Sequence, residues 1–314
     1  MYNVHYLNKI SPQGTALFTE EYTPVDNLEQ AEAVLVRSAN MHEMQLPEDL
    51  LAIARAGAGV NNIPLTSCAD QGIVVFNTPG ANANSVMELA ICGMLLGSRD
   101  IVGGINWVQS IKGSPDVAKI VEKGKSQFAG HEIYGKKLGI IGLGAIGGPL
   151  ANRSRKLGMD VYGCDPHISV EAAWHLDRHV QRVKTREEIF SQCDIISVHT
   201  PLLDDTRKMI NAETIAMMKD GVILVNMARG AVTDEQALAD ALRDGGLGVL
   251  GVDVYSAEPM RAEHPFYSIR ERENVCFTPH MAWGAYETRV RLLSEMAENI
   301  RSYLEGGKRN RVDL

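Results

Sequence analysis

Along this chain short β-branched runs alternate with longer segments whose apolar residues recur at helical spacing, the pattern of parallel α/β structure. In the first hundred residues strands are predicted at 3–7, 33–36 and 73–76, and an apolar run at 50–56 leads into Gly57 and Gly59. A helix is expected over 62–72, begun near Pro64 and closed by Gly72. Residues 84–99 carry Val, Met, Leu, Ile and Ala on most faces, so this helix is expected to be buried nearly all round, as at a domain or subunit boundary. The mixed segment 100–134 reads as a continuation of that helix followed by an excursion. Beyond it strands are predicted at 138–141, 160–164, 194–199, 221–226, 248–254 and 274–277. Helices are expected after Gly147 as far as Gly158, over 212–218, and over 234–242 with Thr233 as N-cap. The last segment, 287–304, has Val290, Leu293, Met296, Ala297, Ile300 and Leu304 at helical spacing, and no strand follows it.

The chain is organised around residues 137–165. The strand at 138–141 breaks into Gly142, Gly144 and Gly147, a G-x-G-x-x-G turn that opens a helix. The first glycine permits the tight turn, the second lets backbone approach a pyrophosphate, and the third lets helix and strand pack closely. A phosphate would then face free N–H groups at the helix N-terminus. The strand at 160–164 ends in Asp165, 18 residues beyond Gly147, where an acidic side chain binds a ribose 2′-hydroxyl. Asp165 would repel a 2′-phosphate, and Pro166, His167 and Ile168 bring no arginine to receive one, so NAD rather than NADP is expected. The dinucleotide domain is therefore placed at 100–284. The economical place for the closing helix is the first domain, so that 285–314 joins 1–99 and two chain crossings hinge the domains around a cleft.

Composition narrows the classes of partner. At 314 residues the chain suits two domains, and a net charge of −8 argues against broad nucleic-acid or anionic-membrane binding. Lys308, Arg309 and Arg311 read as a solvated end. No apolar stretch approaches the length of a membrane span, and the start, MYNVHYLNKI, has no apolar signal core, which predicts a cytoplasmic protein. Cys68, Cys92, Cys164, Cys193 and Cys276 are scattered without a C-x-x-C pair, and are expected to be reduced thiols in apolar positions. His175 and His179 stand four apart, but no H-E-x-x-H accompanies them, so no metal is expected.

Three polar residues follow successive predicted strands, where α/β sheets place their ligands: Arg229 in NMARG, Glu258 in DVYSAEP and His280 in TPH. A guanidinium can hold a carboxylate and polarise a carbonyl. An imidazole can exchange a hydroxyl proton, and a glutamate on its other nitrogen favours its charged form. Beside a nicotinamide this is a working set for hydride chemistry on a 2-hydroxy or 2-oxo acid.

The order GLGAIG at 142–147, HTP at 199–201, NMARG at 226–230, DVYSAEP at 253–259 and TPH at 278–280 resembles the D-isomer-specific 2-hydroxyacid dehydrogenases. In the first half, VRSAN at 36–40, RAGAGVNNI at 55–63 and NTPGANANSVMEL at 77–89 resemble the short-type D-3-phosphoglycerate dehydrogenases of that family. The resemblance implies two doubly wound parallel-sheet domains, a Rossmann NAD domain inserted in a flavodoxin-like substrate-binding domain, and the catalytic triad Arg229, Glu258 and His280. It places Gly142, Gly144, Ala145, Ile146, Gly147, Asp165, His199, Pro201, Ala228 and Asp253 at the cofactor. It also gives the substrate carboxylate to the amides of Ala58 and Gly59 with Arg229, and a phosphate to Arg37 and Arg55. The family's Asp after Gly-Val is Asn61 here. Met281, Ala282, Trp283 and Gly284 are similar to glycerate dehydrogenases, which leaves 3-phosphoglycerate and glycerate both open as substrates. Corepressors of the C-terminal binding protein type share the resemblance as a non-catalytic alternative, but they use long disordered or basic extensions that this sequence lacks. A formate dehydrogenase would call for an amide where Glu258 stands. The broad apolar helix at 84–99 suggests a homodimer.

Overall fold

The computed structural model describes residues 2–8, 18–304 and 306–312, without the side chain of Leu304. They form two compact units, residues 1–85 with 283–314, and 86–282. In the first, strands β1 (Tyr2–Tyr6), β2 (Tyr22–Val25), β3 (Ala33–Val36), β4 (Ala52–Arg55) and β5 (Val74–Phe76) make a parallel sheet in the order β2-β1-β3-β4-β5. This is the flavodoxin-like order. Strand β2 was not predicted: its Pro24 cannot donate to a ladder, which confines it to a sheet edge, and β2 is the edge. Helix α1 (Leu65–Asp70) follows Pro64 as expected, and Val34, Val36, Ile53, Cys68 and Val75 share one core.

Helix α2 (Ala83–Ser98) opens within the first unit, but Val86, Met87, Ala90 and Met94 pack with Leu138, Ile140 and Val225 of the second. The division therefore falls at 85/86 rather than at 99/100, because the helix follows its apolar face and not the end of its hydrophobic run. Its return lies at 282/283, close to the expected 284/285. The expected excursion proves to be α3 (Ile101–Ser110), capped by Asp100 accepting from the Gly103 amide, and α4 (Val117–Gly124).

The second sheet is parallel throughout and has seven strands. They are β6 (Lys137–Ile141), β7 (Asp160–Cys164), β8 (Gln181–Arg182), β9 (Ile195–Val198), β10 (Ile223–Asn226), β11 (Val249–Val252) and β12 (Val275–Phe277). Their order is β12-β11-β10-β9-β6-β7-β8, the doubly wound Rossmann order with one further strand. Both faces are covered, as the unbroken apolar runs require. Leu138, Ile140, Ile195 and Val225 enter one core, and Ile141, Ile196, Val198, Leu224 and Leu250 the other. Helices α5 (Gly147–Lys156), α6 (Val170–Trp174), α7 (Arg186–Gln192), α8 (Ala212–Ile215) and α9 (Glu235–Asp244) connect the strands. Helix α7 begins with a capping box, Thr185 and Glu188. The cap of α9 is Asp234, which accepts from the amides of Gln236 and Ala237. Thr233, the expected cap, instead donates its hydroxyl to the Gly230 carbonyl at 2.9 Å.

Helix α10 (Tyr286–Leu304) belongs to the first unit. Leu293, Met296 and Ile300 are buried against Val4, Leu35, Ala54 and Phe76. Burying a side chain of that size contributes about 1.5–3 kcal/mol relative to exposure. The chain end is not merely solvated. Arg309 approaches Glu295 at 2.5 Å, and the Val312 amide donates to the Val75 carbonyl, where Arg311 bridges antiparallel to Phe76 of β5.

Candidate active site

The glycine turn between β6 and α5 has the three properties its pattern demands. Gly142 sits at φ +92°, and a Cβ there would lie 2.7 Å from the His199 carbonyl oxygen. A Cβ at Gly147 would lie 1.9 Å from the Gly142 oxygen, so strand and helix are in direct contact there. At Gly144 a Cβ would meet nothing within 4 Å, which is the open side a pyrophosphate needs. No side chain caps the first turn of α5 at Ile146, where the Gly148 amide donates to the Gly144 carbonyl at 3.0 Å. Asp165, at the end of β7, accepts from the Leu143 amide at 2.8 Å and the His167 amide at 2.9 Å. The carboxylate is thus locked to the glycine turn, and each oxygen keeps a second lone pair for a ribose hydroxyl.

Beyond β9, His199 takes a 2.8 Å hydrogen bond between Nε2 and the Ser197 hydroxyl, and burial pushes its imidazole down to about 4, so it is neutral at neutral pH. Among the described residues, His199 Nδ1 and the Thr200 hydroxyl are buried without a protein partner. Two orphaned polar atoms beside an open glycine turn are what a dinucleotide would complete. Pro201 accepts the Thr206 hydroxyl through its carbonyl, and the Ala228 amide donates to Asn226 Oδ1. Both turns are therefore fixed.

Strands β10, β11 and β12 are neighbours, and their carboxyl ends deliver Arg229, Glu258 and His280. His280 Nδ1 lies 2.7 Å from Glu258 Oε2, and Glu258 Oε1 accepts the Tyr255 amide at 3.0 Å. His280 has φ +51°, an unusual backbone state for a residue with a side chain. The Arg229 guanidinium donates to the Ala228 carbonyl at 2.7 Å. Burial lowers its pKa, while the charge of Glu258 opposes that shift, so the two groups are within electrostatic reach.

Asp253 is fully buried, and its carboxylate faces the histidine loop. Oδ1 accepts the Thr278 hydroxyl at 2.6 Å and the Met281 amide at 2.8 Å, and Oδ2 accepts the Ala282 amide at 2.9 Å. The Tyr255 hydroxyl donates to the Thr278 carbonyl at 2.9 Å. The family motif carries both residues, but their part in holding this loop is set by tertiary contacts that no spacing announces.

In the first unit, Gly57 donates its amide to the Thr78 hydroxyl at 2.7 Å, and the Arg55 guanidinium folds over Gly57. The amides of Ala58 and Gly59 donate no hydrogen bond among the described residues, as an anion-binding turn requires. Arg37 leaves the end of β3, and its guanidinium lies over the Trp283 ring, 4.5 Å from the centroid. Among the described residues no group of three or more His, Cys, Asp or Glu could hold a metal. His175 and His179 bond instead to the Glu171 carbonyl and to Asp177. Cys68, Cys164 and Cys193 are buried, Cys276 is half-buried, and Cys92, contrary to expectation, is exposed. Burial pushes the Cys193 thiol up to about 12, where it is inert as a nucleophile. No helix among the described residues is long and apolar enough to cross a membrane.

Residues 93–282 match the model of the D-isomer specific 2-hydroxyacid dehydrogenase, NAD binding domain. The chain is 34% identical to the D-3-phosphoglycerate dehydrogenase of Methanocaldococcus jannaschii over 298 residues, 93% of this chain and 53% of that protein. It spans about half the length of the phosphoglycerate dehydrogenases it matches. It is 35% identical to the hydroxypyruvate reductase of Thermotoga maritima over 318 residues, 95% of this chain and 97% of that one. A crystal structure from Polaromonas, a putative D-isomer specific 2-hydroxyacid dehydrogenase, superposes with a TM-score of 0.85 at 22% identity over the full length of both chains, a likeness of fold.

Proposed function

Since the chain belongs to the D-isomer specific 2-hydroxyacid dehydrogenases, we propose that it exchanges a hydride between NAD and a D-2-hydroxy acid, with 3-phosphoglycerate oxidised to 3-phosphohydroxypyruvate, as in serine biosynthesis. The observation that carries this reading is the 2.7 Å pairing of His280 with Glu258 at the carboxyl end of the sheet that bears the glycine turn. NAD supplies the hydride acceptor at its nicotinamide ring. Gly142, Gly144, Ala145, Ile146 and Gly147 would hold its pyrophosphate, and Asp165 its ribose. Arg229 binds the substrate carboxylate and polarises the C2 oxygen. Glu258 engages Nδ1 and so gives the proton exchange to Nε2 of His280. As the C2–H bond breaks and its electron pair leaves as hydride, Nε2 takes the hydroxyl proton and the carbonyl forms. In reduction the imidazolium returns that proton.

For the phosphate, Arg37 has the right chemistry. Its guanidinium is held over the Trp283 ring, with Arg55 as the second cation. A second reading, glycerate dehydrogenase or hydroxypyruvate reductase, is favoured by the segment Met281 to Gly284 and by the full-length match to the Thermotoga protein. Specificity constants for NADH oxidation with phosphohydroxypyruvate, hydroxypyruvate, glyoxylate and pyruvate separate them. Phosphohydroxypyruvate is expected to be preferred, and Arg37→Ala to remove that preference alone, by about 10²-fold for a charged pair out of water. Faster hydroxypyruvate with a silent Arg37→Ala makes it a glycerate dehydrogenase. NADH binding with no turnover on any 2-oxo acid would instead point to a dinucleotide-sensing role. The protein is further read as a cytoplasmic homodimer. Ile101, Val102, Ile105 and Val108 of α3 are exposed apolar residues next to α2, and a sedimentation run giving monomer at micromolar concentration contradicts the dimer.

A further inference from the structure

Behind the catalytic residues the second unit holds a buried carboxylate that the proposed reaction does not use. Glu235, the first residue of α9, is 7% exposed, and its side chain turns away from solvent toward the loop that follows β11. Its Oε1 accepts the Ser256 amide at 2.8 Å, and its Oε2 accepts the Ser256 hydroxyl. His264, equally buried, brings Nε2 to 3.0 Å from the same Oε2 without the alignment of a hydrogen bond. Its Nδ1 accepts the Phe266 amide, so the proton of a neutral ring stands on Nε2, facing the carboxylate. A buried carboxylate is costly unless its oxygens are satisfied, and here the Ser256 amide and hydroxyl each satisfy one oxygen, with His264 beside the second.

The segment so fixed, Tyr255–Ser256, touches all three loops that carry the catalytic side chains. The Tyr255 amide holds Glu258 Oε1, and the Tyr255 hydroxyl holds the Thr278 carbonyl two residues before His280. The backbone of the segment rests directly on Gly230, next to Arg229: a Cβ at Gly230 would lie 2.0 Å from the Tyr255 carbonyl carbon and 2.2 Å from the Ser256 nitrogen. Gly230 itself is followed by a single turn and then by Glu235, so the arginine loop and the glutamate loop are joined at both ends of that turn.

We propose that Glu235, braced by His264, is a positioning residue for the dehydrogenase reaction: it sets the Tyr255–Ser256 segment and through it the alignment of Glu258 with His280. This rests on the triad reading above. Turning the carboxylate into an amide leaves an acceptor for the Ser256 amide. It also sets an NH₂ group or a weaker acceptor against the Ser256 hydroxyl and the His264 N–H, so the segment loosens without losing its packing.

The test is a double-mutant cycle on Glu235→Gln and Glu258→Gln, read as kcat, NADH affinity and the reductive pH–rate profile. Glu235→Gln is expected to lower kcat about tenfold, to leave NADH affinity unchanged, and to shift the profile in the same direction as Glu258→Gln. Residues that act through one another do not add, so the double variant should be no slower than Glu258→Gln alone. Ser256→Ala, which deletes one donor and leaves the buried carboxylate in place, should show a smaller loss of the same kind and guards against a Glu235 variant that fails to fold. Multiplying effects, an unmoved pH profile, or NADH affinity lost in step with turnover would overturn the positioning role. If Glu258→Gln is itself silent, the triad reading fails and this inference with it; if only the Glu235 and Ser256 variants are silent, the triad stands and the positioning role falls.

Discussion

His280→Ala is expected to lose about 10²–10⁴ in turnover in both directions while NADH still binds, the usual cost of removing a positioned proton donor and acceptor. The imidazole is suited to this separation of effects because it is half exposed and lies outside the apolar cores, on a loop held from behind by Asp253. Deleting it leaves those three hydrogen bonds in place, so the melting temperature should stay near that of the wild type. Tryptophan or NADH fluorescence titration checks cofactor binding on the same preparation. Loss of NADH binding together with activity would make the histidine structural.

Glu258→Gln should cost about 10–10²-fold in kcat for oxidation, because a hydrogen bond to a charged group is worth about 1.5–3 kcal/mol and this one strengthens as the imidazole takes its proton. Reduction needs a proton on Nε2 and oxidation an open Nε2. A reductive pH–rate profile that does not move in Glu258→Gln removes Glu258 from the mechanism.

Much of this site is legible in the sequence because parallel sheets deliver ligands at strand ends. The runs before Gly142, Arg229, Glu258 and His280 are short, apolar and β-branched, and each residue lies a few positions past its strand. What the pattern does not carry is set by packing. Strand β2 hides behind Pro24, and β8 is two residues long and leaves no periodicity to find. Helix α2 reads as the end of one domain, yet its buried face belongs to the next. Thr233 and Asp234 are both acceptable caps by residue type, and the Gly230 carbonyl decides between them by taking the threonine hydroxyl. Asp253, Glu235 and His264 are buried polar residues joined to partners 21 to 29 positions away, and distance along the chain gives no clue to such pairings.

The central claim is hydride exchange with a D-2-hydroxy acid, and the product of reduction tests it most directly. Wild-type protein given NADH and phosphohydroxypyruvate should consume both in equal amounts and form 3-phosphoglycerate of the D configuration, resolved by chiral chromatography. The L enantiomer, or no NADH consumed with any 2-oxo acid while the cofactor is bound, would contradict it.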